Sequence, residues 1–473
     1  MAVYVQIANS LVNLIRNGTI KPGVLLPSSR EMALMLQVHR KTIVAAYEEL
    51  YVQDWIETIP RKGVQVSQHL PEIKPRTFKQ DNQVSGYKGG AGFTFKKLSA
   101  SPAVTHKPLT HRLVVNDGFP DPRIAPVGLL LKEYRRLFDN TATMGLSMEG
   151  ARAGSVSLRT AIASFLSGTR GLSINAQNVL ISRGAQMAIY MAAAMILKPG
   201  STVIVGEPNY FMANMIFEQF GATLIRVPVD ENGIDVDALE KICKKKKPSL
   251  LYIIPHHHHP TTVTLSADRR MKLLQLIRQY NLPVIEDDYD YDFHYNRNPI
   301  LPLASADHGG NVIYIGSLTK FLAPNIRVGY MAAPENFIRE AVQLRMMIDI
   351  RGDNLMEEAL AILSNAGHIQ RHLKKSVKLY HERRDMFCSL LENELGDIVS
   401  FTKPQGGMAV WARFNTKYPL PLIAQRASGQ GLYLSDGSHY SAGGINYNAI
   451  RMGFASLNEK EMVEVVRIIG RSV

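Results

Sequence analysis

Hydrophobic positions recur along this chain with two different periods, and the stretch between the two regions has neither. Near the N-terminus Ile7, Leu11 and Leu14/Ile15 fall at helical spacing, and Gly18 closes that run. A turn at Lys21-Pro22-Gly23 leads to Ser28-Ser29-Arg30-Glu31. This is a capping box, in which the Ser28 hydroxyl caps backbone amides while Glu31 reaches back. The short helix it opens carries Ala33, Leu34 and Leu36, and after a break at Gln37–Val38 a second helix runs through Ile43, Ala46, Tyr47 and Leu50. WIETI and VQVS then alternate as two short strands joined by Pro60-Arg61-Lys62-Gly63. Residues from roughly 68 to 112 are polar and basic, with Pro, Gly and Ser and no clear period. From about 113 to 473, apolar runs of strand length alternate with long amphipathic segments. The runs are NVLISRG, STVIVGEP, LLYIIP, LPVIEDD, NVIYIGS and VGYMAAP. Strands alternating with helical patterns predict an α/β body with a mostly parallel sheet. The expected domains are a head over 1–67, a flexible basic linker over 68–112 and a large body over 113–473.

Composition sharpens this picture in three ways. A length of 473 residues exceeds what one core serves, in agreement with a head and a body. The excess of 54 Lys and Arg over 41 Asp and Glu gives a net charge of +13, which suits either an anionic partner such as nucleic acid or a merely basic surface. Cys243 and Cys388 stand far apart without metal-ligand neighbours. That excludes a disulfide scaffold and a thiolate zinc site, and fits a reducing cytosol. The N-terminal run is amphipathic, without the unbroken apolar core of a signal peptide, and no later run is apolar enough to span a bilayer. A cytoplasmic protein is expected.

In the head, two short helices with a tight turn, the second opening with His39, Arg40, Lys41 and Thr42, have the layout of a helix-turn-helix. The hairpin with its basic tip would form a wing suited to phosphates or the minor groove. Small helical domains also mediate protein contacts, but the ordered set of helix, capped helix, basic helix and basic hairpin favours double-stranded DNA. The run from LIRNG to KGVQV resembles the winged helix-turn-helix of the GntR family, with PSSR, HRKT and AAYEEL as its specific parts. The resemblance implies that Arg30, Arg40 and Thr42 contact DNA, and that Gly63 of the wing lets the backbone approach it.

In the body, IGSLTK places Lys320 at a strand end with hydroxyls at Ser317 and Thr319, and Arg327 follows. These suit a Schiff-base amine beside a phosphate, although alone the segment would read as an exposed lysine. PVIEDDYDYDF ends a strand in carboxylates, one of which would pair with a protonated pyridine nitrogen. Asp287 is the first choice and Asp288 its competitor, with Tyr289 on the ring oxygen; Glu286 alternates to the opposite face. A magnesium site is the other use of such a cluster. Gly184, Ala185 and Gln186 stand where a helix begins, a good phosphate site. Tyr210 of GEPNYF would stack on a pyridine or simply pack.

The order of these segments is similar to fold-type I aminotransferases from about residue 113 onward, with LRTAIASFLSGTRGL, GGMAVW and AIRMGFASL as further matching pieces. The resemblance implies pyridoxal 5'-phosphate held by Lys320 as an internal aldimine, with Asp287 on the pyridinium and Tyr289 on the ring hydroxyl. It implies stacking by Tyr210 and a phosphate cradle of Gly184, Ala185, Gln186, Ser317, Thr319 and Arg327. Arg451 of IRMGF matches the arginine that grips a substrate carboxylate.

Head and body together resemble the MocR/GabR regulators. That implies a DNA-binding transcription regulator whose amino acid or amine effector forms an external aldimine at Lys320, with at most weak transaminase activity. The alternative is a working aminotransferase with a DNA-binding appendage. It also implies a head-to-tail homodimer, with Lys74, Arg76, Lys79, Lys88, Lys96 and Lys97 in the crossing linker. One segment departs from the aminotransferase pattern. PHHHHPTT puts His259 where an asparagine would contact the ring oxygen and Thr262 where a glycine is usual, while His257 matches a histidine found in such regulators. The four histidines lie between prolines in an extended turn, so a hydrogen-bonding role beside the cofactor is expected of one of them rather than a metal site.

Overall fold

A computed structural model of the chain describes residues 2–60, 62–70, 91–96, 111–139, 152–295, 300–441 and 444–473. It divides into two units, Met1–Phe95 and Lys96–Val473. Most of the expected linker, including Lys74, Arg76, Lys79, Lys88 and Lys97, lies outside the described residues. Among the described residues no helix is long and apolar enough to cross a membrane.

In the first unit, α1 (Val3–Arg16) buries Ala8, Leu11 and Ile15 and gives way at Asn17 to Gly18, whose φ of 78° suits glycine. The capping box forms as the sequence predicts: the Ser28 amide donates to Glu31 Oε2 at 2.8 Å and the Glu31 amide to Ser28 Oγ at 3.3 Å. It opens α2 (Ser29–Met35), and α3 (Arg40–Val52) follows. The apolar face of α2 differs from the expectation. Met32 and Ala33 are buried, whereas Leu34, one step of 100° further round, is 80% exposed. On α3 the spacing holds, and Ile43, Ala46, Tyr47 and Leu50 are all buried. β1 (Ile56–Ile59) and β2 (Gly63–Val66) pair antiparallel, with Ile59 opposite Gly63.

In the second unit, β3 (Leu113–Val114) runs parallel to Leu432–Tyr433. A larger sheet contains β4 (Val179–Ser182), β5 (Thr202–Glu207), β6 (Thr223–Asp230), β7 (Gly233–Ile234), β8 (Leu250–Ile253), β9 (Val284–Asp287), β10 (Val312–Ser317) and β11 (Gly329–Ala332). Its order is β4-β11-β10-β9-β8-β5-β6-β7. Strands β10, β9, β8, β5 and β6 are mutually parallel; β11 runs against both of its neighbours, and β7 against β6. Every residue of β4, β8, β9, β10 and β11 is buried, as expected of a sheet covered by helices on both faces. All six apolar runs named from the sequence are strands. Of these six, β11 alone is reversed, and it follows β10 after a short excursion that carries Lys320 and Arg327. A separate three-stranded sheet carries Arg451 on its edge strand Ala449–Gly453, opposite Trp411 of the central strand. The carboxyl ends of β8, β9 and β10 open together, the usual place for a ligand in a parallel sheet.

Candidate functional site

The head's basic groups stand on the outside of its helices. Arg30 on α2 and Lys41 on α3 are exposed, and Thr42 is half-buried. His39 is spent on local structure: its ring Nδ1 accepts the Lys41 amide at 3.2 Å and so caps α3. Arg40 Nε donates to Ser29 Oγ at 3.2 Å, fastening α3 to α2. Gly63 is exposed with φ of 114°, and a Cβ there would meet nothing within 4 Å. Only glycine adopts that backbone easily. The α3 N-terminus thus presents basic side chains where the helix dipole already favours an anion.

In the body, a cavity of about 220 Å³ is lined by Ala185, Gln186, Tyr210, His259, Asp287, Tyr289, Ser317, Thr319, Lys320 and Arg327. Ten residues singled out from five separate segments therefore meet in one place. Gly184 sits at the cap of the helix Ala185–Ile196 with φ of 82°, and a Cβ there would lie 2.8 Å from Arg327 Nη2. Glycine is required for that close approach. Thr319 Oγ1 donates to the Ile326 carbonyl at 2.9 Å, and Ser317 Oγ accepts the Thr319 amide at 3.2 Å. These bonds hold the turn between Lys320 and Arg327.

Asp287 ends β9 with both oxygens buried. Tyr252 of β8 donates to Oδ2 at 2.7 Å, while Oδ1 has no partner. Burial pushes the carboxyl up to about 7, against the pull of the Tyr252 hydroxyl. Asp288 turns away from the pocket. Tyr314 donates to its Oδ2 at 2.8 Å, and His256 approaches its Oδ1 at 3.3 Å. Of the two carboxylates only Asp287 lines the cavity. Glu286, on the other face, accepts the amides of Leu303 and Ala304 at 2.8 Å each.

Lys320 Nζ donates to the Gly118 carbonyl at 2.7 Å and lies 4.4 Å from the centre of the Phe119 ring. Burial lowers its amine to about 8, although Asp117 nearby works in the opposite direction. Tyr289 donates to the His257 carbonyl at 3.1 Å and accepts from Arg451 Nη2 at 3.0 Å. Tyr210 donates to Gln186 Oε1 at 3.3 Å and meets the His259 ring edge-on at 5.0 Å. Arg451 is buried beneath this wall and does not line the cavity itself.

The four histidines find four different partners. His256 reaches the Ile300 carbonyl, His257 Asp290, His258 Thr261 and His259 Asp117. His259 alone of the four lines the cavity. Asp117, Phe119 and Tyr252 escape sequence reading. The only sign of the first two was the polar Asp117-Gly118 break after a short apolar run, and Tyr252 is hidden inside a strand that reads as core.

The geometry suits pyridoxal phosphate. The unpartnered Asp287 oxygen awaits a cation, a raised carboxyl would be returned to its ionised form by a pyridinium, and the Gly184 turn beside Arg327 leaves room for a phosphate where a side chain would close it.

Residues 131–469 match the family described as aminotransferase class I and II, and residues 3–66 match bacterial regulatory proteins, gntR family. The chain is 27% identical to the uncharacterized HTH-type transcriptional regulator YdfD of Bacillus subtilis, covering 96% of this chain and 93% of that one. It is 25% identical to the probable rhizopine catabolism regulatory protein MocR of Rhizobium meliloti, over 94% and 89% of the two chains. Among solved structures it is similar to LysN, an α-aminoadipate aminotransferase from Thermus thermophilus complexed with N-(5'-phosphopyridoxyl)-L-leucine. The TM-score is 0.71 at 27% identity, covering 76% of this chain and 91% of that one.

Proposed function

This chain belongs to the class I and II aminotransferase family and joins that pyridoxal-phosphate-dependent body to a gntR-type regulatory head, and from that premise we propose that it is a cytoplasmic transcription regulator that senses a primary amine. The observation that carries the reading is the pairing, within one chain, of an exposed basic helix in the head with a Lys320 pocket in the body. In this reading Arg30, Arg40, Lys41 and Thr42 approach operator DNA, His39 sets the start of the helix that presents them, and Gly63 brings the wing backbone close. The head spans 1–67, the body 113–473, and two chains pair head to tail.

When bound, pyridoxal phosphate supplies an aldehyde that condenses with one primary amine at a time, that of Lys320 or that of an effector amino acid or amine. The chain's own residues do the rest. Asp287, itself held by Tyr252, would hold the ring nitrogen. Tyr289 and His259 would serve the ring oxygen, and Tyr210 would stack on the ring. The amides at Gly184, Ala185 and Gln186, the hydroxyls of Ser317 and Thr319, and the Arg327 guanidinium would hold the phosphate. The low basicity of Lys320 leaves a useful fraction of free amine near neutrality, so that it can give way to an effector and return. Lys320 makes its contacts with Gly118 and Phe119 as a free amine, so a lysine attached to the cofactor would have to give them up. A coupling of only about 1–3 kcal/mol between that change of contacts and the heads would alter promoter occupancy several-fold or more.

The test is a mobility-shift titration of the chain on its own upstream DNA, at low salt, with and without pyridoxal phosphate and candidate amines. Specific binding that responds to an amine is expected, and no binding under any condition overturns the reading. A second reading, a working aminotransferase with a DNA-binding appendage, is supported by the assembled pocket. Sustained turnover between an amino acid and a 2-oxo acid, at about one per second, would favour it.

A further inference from the structure

Arg451 is the cation that would ordinarily receive an effector's carboxylate, yet its surroundings already supply negative charge. Its Nε lies 3.4 Å from Asp117 Oδ1 and its Nη2 lies 3.9 Å from Asp290 Oδ2. Asp117 is in turn fully engaged on the cavity wall. Tyr440 donates to its Oδ1 at 3.1 Å, and His259 Nε2 sits 2.7 Å from its Oδ2. The next residue, Gly118, accepts from Lys320 Nζ. Asp117 is therefore a half-buried carboxylate of the chain itself, anchored beside the reactive amine and facing the arginine.

Resting on the effector reading above, we propose that Asp117 is a specificity-determining residue: it occupies Arg451 from within, so that the pocket selects primary amines bearing no carboxylate on the amine-bearing carbon.

An amine that takes the place of Lys320 brings its first carbon close to Gly118, and hence to Asp117. A carboxylate on that carbon would be the third one around a single guanidinium, the other two being fixed by the fold. Like charges brought together away from water are strongly disfavoured. His259 does not relieve this, because burial lowers its ring's basicity despite the neighbouring Asp117. A simple alkyl or aryl amine adds no charge there. It also meets Phe119, whose ring already lies against the Lys320 ammonium. The group that keeps amino acids out is thus supplied by a segment some two hundred residues before the lysine, as Lys320 and Gly118 are separated by 202 positions.

The test uses the full-length chain loaded with pyridoxal phosphate. Isobutylamine and valine, isoamylamine and leucine, and tyramine and tyrosine are titrated as pairs that differ only in the α-carboxylate and carry a single primary amine each. Binding is read by the shift of the cofactor's absorbance band and, independently, by isothermal titration calorimetry. In the unmodified chain at least one amine is expected to bind about tenfold or more tightly than its paired amino acid, and Asp117→Asn is expected to move that ratio about tenfold or more toward the amino acid. Asp117→Ser serves as a second variant, and stoichiometric cofactor loading shows that each variant is folded. Amino acids binding as well as amines to the unmodified chain would overturn the proposal. So would a ratio unchanged in both variants. If no compound of either class binds any of the three proteins, the effector reading itself falls, and this inference with it.

Discussion

In the head, Arg30, Arg40 and Lys41 stand exposed on two short helices, whereas in the body Asp287, Arg451 and Arg170 are shut beneath strand ends and Lys320 forms part of a cavity wall. The head's core is almost wholly apolar, built from Leu11, Ile43, Leu50, Trp55 and their neighbours. Its charges are what the helical period leaves over. The body spends charge in its interior, where each group must find a partner or shift its basicity. Substitutions should therefore act differently in the two regions: through fold stability and amine chemistry in the body, and chiefly through DNA affinity at the exposed head cations that hold no other element in place. The chain carries one tryptophan in each region, Trp55 and Trp411, so each can be followed separately after the other is changed to phenylalanine.

The largest effect is expected at Arg170, which is fully enclosed, paired with Asp292 and donating to the Tyr314 hydroxyl at 2.7 Å. Arg170→Met strands the Asp292 carboxylate in the interior, and breaking such a pair costs about 3–5 kcal/mol. Urea unfolding read by Trp411 in a Trp55→Phe background should show a loss of that size, with Trp55 in the complementary background unaffected. Adding Asp292→Leu should restore part of the loss. A loss below about 1 kcal/mol would mean that the body tolerates unpaired charge as the head's surface does.

The next effect concerns Lys320. With its amine lowered to about 8 from an ordinary 10.5, the neutral form at pH 7 is more abundant by about two to three orders of magnitude. Cofactor attachment needs that neutral form, so its rate should rise with pH through about 8 and level off above. The stability of the cofactor-free chain carries the same signature. Between about 8 and 10.5 the unfolded lysine holds a proton that the folded one has lost, so stability grows as pH rises across that window, and this group adds no pH dependence below or above it. A rate that keeps rising past pH 10 would show that the cavity leaves this lysine at its ordinary basicity.

Both regions were legible in the sequence, to unequal depth. The head's two helices, capping box and hairpin follow from local spacing, but Leu34 and Leu36, expected on the apolar face, are exposed, because a seven-residue helix has too few turns to define its face. In the body the six apolar runs and the Lys320, Asp287 and Gly184 segments could be named singly, since each chemistry marks its own strand end. What local pattern does not contain is which strand ends converge. Tyr252 is indistinguishable from core until β8 is known to lie beside β9. Asp117 gains meaning only when a segment 142 residues from His259 is folded against it. The direction of β11 was invisible for the same reason, since a buried strand reads alike in either orientation.

A smaller effect, about 1 kcal/mol, is expected from Ser28→Ala, which removes the hydroxyl that caps α2. Trp55 fluorescence in a Trp411→Phe background should register it while cofactor absorbance stays unchanged. An equal loss in the body would contradict the independence of the two regions.

The smallest and most selective effect belongs to Lys41, exposed in the first turn of α3 and free of any tertiary packing duty suggested by its burial. If it meets a DNA phosphate, Lys41→Ala removes one displaced counterion, and the slope of log affinity against log salt should become shallower by about 0.9. The loss should be nearly the same for operator and unrelated DNA, because a phosphate contact carries no sequence information. Arg40 is a useful contrast, since it also fastens α3 to Ser29; Arg40→Ala should lower head stability as well as DNA affinity. A Lys41 variant that discriminates less between sequences would place this residue at a base edge instead. An unchanged slope would remove it from the DNA contact altogether and leave Arg30, on α2, as the exposed cation to examine in its place.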